Sequence, residues 1–104
     1  MPKIIITYTL KPGVSREIYE QWTRTVDYPA MCGLTRESSF VTHRTTCRLV
    51  GEGAPSVDYI EVFDVPDLDG FVREDMPGPV VRTVMGEFLQ FVEKPEFLVA
   101  EDVV

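Results

Sequence analysis

The side chains that could move a proton or hold a flat ligand are Tyr8, Trp22, Asp27, Tyr28, His43, Tyr59 and Glu61. Histidine is the side-chain type that titrates near neutrality, and His43 is the only one present. A single histidine suffices for general acid–base chemistry, although His43 reads equally well as a hydrogen-bonded structural or surface residue. Asp27 follows a helical stretch, where a carboxylate meets an unfavourable dipole. It either pairs with Arg24 or Arg44, or marks a site, because sequences tend to break local rules where function requires it. Glu61 alternates with Tyr59 and Phe63, so it lies at a wet edge or carries a raised pKa useful in proton transfer. Tyr8, Tyr28 and Tyr59 bring phenols that also pack. Trp22, the only tryptophan, belongs to a core or stacks on a ligand, with an indole N–H that needs a partner.

Other chemistries are poorly supplied. A zinc or iron site built by the protein needs three or four ligands, and one histidine with two cysteines outside a CxxC spacing predicts no metal. Cys32 and Cys47 read as reduced, partly buried thiols. Gly51-Glu52-Gly53 is a hairpin signal rather than a phosphate loop, and no Ser-His-Asp or Cys-His spacing is readable, so no cofactor is expected. Arg73, Glu74 and Asp75 read as a solvated helix face. What remains suits a small, flat organic molecule.

These side chains are carried by a short series of elements. Lys3–Leu10 is β-branched and aromatic and predicts a central strand, with Ile4, Ile6 and Tyr8 on one face and Ile5, Thr7 and Thr9 on the other. Ser15 caps a helix whose apolar stripe is Val14, Ile18, Trp22 and Val26, and Tyr28-Pro29 ends or breaks it. A second strand falls within Arg36–Val50, where Val41, His43 and Thr45 alternate with Phe40, Thr42 and Arg44. The turn signal "GEGAPS" leads to a third strand, Val57–Val65, with Tyr59, Glu61 and Phe63 on one face. A short helical segment follows Pro66-Asp67, and Pro77-Gly78-Pro79 breaks it. Pro79 opens a second long helix buried through Val81, Val84, Met85, Phe88 and Val92. Gly86 within it suggests close packing. "EFLVAEDV" is the last strand.

The order β-α-β-β-α-β predicts a single α+β domain over 1–104, of ferredoxin-like type with a four-stranded antiparallel sheet. The 104 residues, 44% hydrophobic and 26% charged, suffice for one core. Helices cover one face of the sheet. The other carries apolar side chains and calls for a second copy, which predicts a homodimer joined sheet to sheet through the open face. A net charge of −7 argues against nucleic acid. No apolar run is long enough to span a membrane, and Met1-Pro2-Lys3 leads straight into a strand, so a cytoplasmic protein is expected.

Taken together, "PKIIITYTLKPGVSREIYEQW", the "DYP" that follows, "SSFVTHR", "DYIEVFDV", "FVREDM" and "VVRTVMGEFLQFV" resemble the RedY-like, HapK-type proteins of the dimeric α+β barrel superfamily. The most distinctive parts are the Trp-(x)4-Asp-Tyr-Pro at the helix end and the histidine of the second strand. The resemblance implies a role in making prodigiosin-type tripyrroles or bisindole alkaloids, on a small aromatic heterocyclic ligand held between sheet and helices. Trp22, Asp27, Tyr28 and His43 would line that cavity, with Tyr8, Tyr59 and Glu61 after them. On this reading the chain is a cofactor-independent cyclase, isomerase or monooxygenase-like enzyme, with His43 as general acid or base and Asp27 orienting it. The alternative is a non-catalytic carrier or chaperone for a pathway intermediate or partner enzyme.

Overall fold

The computed structural model describes residues 2–104. Four strands form one antiparallel sheet in the order β2-β3-β1-β4: β1 (Lys3–Leu10), β2 (Ser39–Arg44), β3 (Tyr59–Asp64) and β4 (Val92–Ala100). Helical segments lie between them in the β-α-β-β-α-β order: α1 (Arg16–Trp22), a π-helical turn (Thr23–Asp27), α2 (Tyr28–Met31), α3 (Leu68–Gly70), a second π-helical turn (Phe71–Asp75) and α4 (Pro79–Phe91). Among the described residues no helix is long and apolar enough to cross a membrane.

Local rules account for most of the boundaries. The Ser15 hydroxyl accepts from the Ile18 N–H and starts α1. Asp67 caps α3 through the Gly70 N–H, and Pro79 occupies the first turn of α4, where its missing N–H costs nothing. Pro95 lies inside β4, which begins before the "EFLVAEDV" read as the last strand. The helix stops at Phe91 and the strand begins at Val92. The pairing with β1 shifts register between Thr7 and Thr9, opposite Lys94 (φ 54°) and Pro95. A bulge on an edge strand is where a residue without a donor is tolerated.

Four further expectations are corrected. Tyr28-Pro29 does not stop the first helix. The chain widens into the π turn and continues as α2 to Met31, because the wider ring makes room for the proline ring that an α-helix would clash with. The hydroxyls of Thr23 and Thr25 donate to the carbonyls of Tyr19 and Gln21 one turn back. The buried face of α1 is Tyr19, Trp22 and Thr23, and Ile18 is 59% exposed. Glycine 86 meets no atom within 4 Å of a notional Cβ, so close packing does not account for it. Both cysteines are free and exposed rather than partly buried.

Register decides which side chains face the helices. Tyr8 pairs with Tyr59, Ile6 with Glu61, and Thr42 with Glu61 across β1, β3 and β2. Directly paired residues share a face, so Tyr8, Thr42, Tyr59 and Glu61 point under the helices. The core beneath them is aromatic: Tyr8 and Tyr59 stack at 5.7 Å, and Phe88 meets Tyr8 edge-on at 4.9 Å. The opposite face holds Ile5, Thr7, Ile60, Val62, Val41 and His43. Val41 and Leu98 are 46% and 41% exposed there.

Candidate functional site

The sequence-predicted residues fall into two places. Asp27 and Glu61 reach the same cavity of about 50 Å³ between the sheet and α4. Its wall is otherwise apolar, with Ile6, Phe63, Val84, Phe88 and Phe97. Phe97, on edge strand β4 and 45% exposed, forms its outer side. Tyr28, His43 and Tyr59 instead border a polar groove of about 420 Å³ along β2, with Glu20, Arg24 and Arg44.

Asp27 is buried by the π turn, which carries it back onto the inner face close to Thr23. Burial alone raises its pKa to about 7. Glu61 is held mid-strand on the inner face of β3 and is 3% exposed. Burial is the main cause of its rise to about 8, partly offset by the Tyr8 hydrogen bond and reinforced by the negative charge of Asp27. The Tyr8 hydroxyl donates to Glu61 Oε2 at 2.5 Å, and the Tyr19 hydroxyl lies 2.5 Å from that of Tyr8. Both phenols are pushed well above their ordinary range, chiefly by burial. Burial thus raises both carboxyls toward neutrality, the condition under which one can give and the other take a proton.

Trp22 packs on Tyr19 and Phe91, and its indole N–H donates to Glu87 Oε1 at 3.1 Å. It supports the inner aromatic cluster rather than bordering either opening. Tyr28 ties α2 to β2, its hydroxyl accepting from the Thr42 N–H at 2.9 Å. Tyr59 donates to Glu20 Oε2 at 2.7 Å, and Arg44 binds the same carboxylate through two nitrogens. Those contacts, led by the arginine, hold Glu20 down to about 2.

His43 does not join Asp27. It pairs with Ile60 on the outer face of the sheet, while Asp27 and Glu61 lie on the inner face. The expected histidine–aspartate pair is absent, and the titratable group that shares a cavity with Asp27 is Glu61.

Sequence reasoning missed two members. Tyr19 extends the Glu61–Tyr8 chain, and its signal was the i, i+3 spacing to Trp22. Glu37, in the loop before β2, is half-buried with Oε2 unpartnered and is pushed up to about 7 by burial and by Asp27 and Asp75. No local pattern marks it. Asp75, expected as part of a solvated face, is instead bound by Arg36, which also reaches Asp67 and Glu74. Among the described residues no group of histidine, cysteine and acidic side chains is arranged to hold a metal ion.

Helices on one face of a four-stranded antiparallel sheet, over a cavity closed by buried carboxyls, define an α+β protein of ferredoxin-like fold. The crystal structure of a DABB-family protein with a ferredoxin-like fold from Mesorhizobium loti shares that fold, at TM-score 0.75 and 13% identity over 99% of this chain and 97% of that one. A dimeric ferredoxin-like protein of unknown function from Thermobifida fusca matches at TM-score 0.75 and 16% identity, over 97% and 90%. Within that class the chain belongs to the family described as REDY-like protein HapK, whose profile matches residues 2–103. It is similar to HapK from Hahella chejuensis, with 25% identity and a TM-score of 0.80 over 99% of this chain and 93% of that one. None of the curated proteins compared matches it.

Proposed function

We propose that this protein acts in the biosynthesis of a prodigiosin-type tripyrrole or bisindole, without a cofactor, on a flat pyrrolic or indolic intermediate by acid–base chemistry. Glu61 and Asp27 are the proton-transfer groups. The observation that carries this reading is the pair of carboxyls sharing one mostly apolar cavity, both raised toward neutrality by burial. Asp27 as carboxylate takes a proton from one ring position or its substituent. Glu61 as carboxylic acid gives a proton to another, and solvent resets the pair. The net change is a tautomerisation, which also opens the way to ring closure. Tyr8 and Tyr19 hold the Glu61 carboxyl in place, and Phe88 and Phe97 offer faces for the heterocycle.

The protein is proposed to work as a cytoplasmic homodimer through the open sheet face. The apolar side chains of Val41, Ile60, Val62 and Leu98 on that face support this, as does the description of related folds from Thermobifida fusca and Bacteroides fragilis as dimeric.

The test is consumption of monopyrrole and indole-derived pathway intermediates, followed by mass spectrometry. Glu61→Gln and Asp27→Asn are expected to slow turnover by about 10²-fold or more, while His43→Ala keeps it. Full activity of Glu61→Gln would overturn the assignment. Stoichiometric binding without loss of the intermediate would identify a carrier instead.

A further inference from the structure

Resting on that reading of the cavity, we infer that its ligand is a planar nitrogen compound bound as a cation, an amidinium- or iminium-type group lodged against Asp27 and Glu61. The charge balance points that way. Among the described residues no Lys, Arg or His lines the cavity, and no ion pair includes either carboxyl. Of the basic side chains on neighbouring segments, Arg36 is engaged with Asp67, Glu74 and Asp75 and Arg44 with Glu20, while Arg24 of the π turn is exposed and borders the groove along β2 instead.

Every titratable group facing the pair is neutral or acidic. Tyr8 comes from β1 and Tyr19 from α1, and Glu37, in the loop before β2, lies near enough to Asp27 to feel its charge. An anionic ligand would meet repulsion from the carboxylates among them. A neutral one would leave a buried carboxylate uncompensated whenever the pair ionises. A cation satisfies the pair, and a planar one with parallel N–H groups matches the geometry of a carboxylate. The Tyr8 hydroxyl already donates to Glu61 Oε2, so once Glu61 is ionised its other oxygen is left to accept from the ligand. The apolar wall of Ile6, Phe63, Val84, Phe88 and Phe97 is what the remainder of the ligand would face.

Three near-isosteric probes differ in charge and in their N–H donors: acetamidine (cationic), acetamide (neutral) and acetate (anionic). Binding is read by NMR titration of the Asp27 and Glu61 carboxyl carbons between pH 5 and 9. Acetamidine must displace a proton from the pair at low pH. Its affinity is therefore expected to rise about tenfold per pH unit from 5 to 7 and to level off above about 8. At pH 8 it should bind at least tenfold more tightly than acetamide, and acetate should not bind. In the Asp27→Asn/Glu61→Gln double variant the pH dependence should vanish and the preference for acetamidine collapse. Acetamide or acetate binding as tightly as acetamidine, a flat pH profile in the wild type, or no acetamidine binding at pH 8 would each overturn the inference. Amidine binding that persists without turnover of any intermediate overturns the catalytic reading alone. Turnover without a charge preference overturns only the ligand class.

Discussion

Replacing Glu61 by glutamine should stabilise the protein in alkaline solution and leave it nearly unchanged in mild acid. The folded chain holds the Glu61 proton up to about pH 8, and the unfolded chain releases it near the ordinary 4.5. Between those limits the folded state binds more protons, so stability falls as pH rises, by about 1.4 kcal/mol per pH unit. From pH 5.5 to 8 this amounts to about 3 kcal/mol, a large share of the typical 5–15 kcal/mol of a domain. Asp27, raised from 3.8 to about 7, acts in the same direction over an overlapping range. Glutamine keeps an oxygen to accept from Tyr8 but has no proton to lose. Urea denaturation of both proteins at fixed concentration, at pH 5.5 and 8.5, reads the difference as a shift in midpoint at constant slope. Wild-type stability should fall markedly between the two pH values, and that of Glu61→Gln much less. Equal losses in both proteins, or a variant weaker than wild type at pH 8.5, would refute the claim that Glu61 is buried without compensation.

Two further outcomes follow from the same geometry. Tyr8→Phe removes the donor that holds the Glu61 pKa down; the carboxyl midpoint in an NMR titration should move up, and stability should drop by about 1–3 kcal/mol, whereas a downward shift would contradict the hydrogen bond. Val62→Asp places a charge at the middle of the open sheet face; light scattering after gel filtration should then give the single-chain mass of 11.8 kDa with circular dichroism unchanged, and a surviving dimer would mean that another surface joins the copies.

The parts of the fold that follow from short-range rules were legible in the sequence. Strand β1, the start of α4 at Pro79 and its buried row of Val81, Val84 and Phe88 need only alternation, helical spacing and proline chemistry, whereas Val92, read as the end of that row, begins β4. Alternation also placed Glu61 with Tyr59 and Phe63 on one side of β3. What escaped depends on longer relations. Whether His43 or Thr42 turns toward the helices is set by the pairing of β2 with β3, and a one-residue difference moves the histidine from one face to the other. Asp27 is buried because the π turn lets the chain pass Pro29, whereas the proline alone reads as a stop. Glu37 meets the site only through the tertiary fold.

The two tyrosine–carboxylate contacts under the sheet show why Glu61, and not Glu20, carries the proposed chemistry. Tyr59 donates to Glu20 and Tyr8 donates to Glu61, and the two rings stack on each other. The donors are the same, yet the carboxylates diverge: Glu20 is held down to about 2 and Glu61 is raised to about 8. The phenol therefore does not set the outcome. Glu20 has the Arg44 guanidinium and solvent beside it, while Glu61 has neither and shares its cavity with Asp27. A hydrophobic residue at position 61 would fill the core at lower electrostatic cost. A buried acid without a counter-charge, opening on a cavity, is instead what proton transfer or capture of a cation requires, and the stability that Glu61→Gln recovers at alkaline pH measures what that requirement costs.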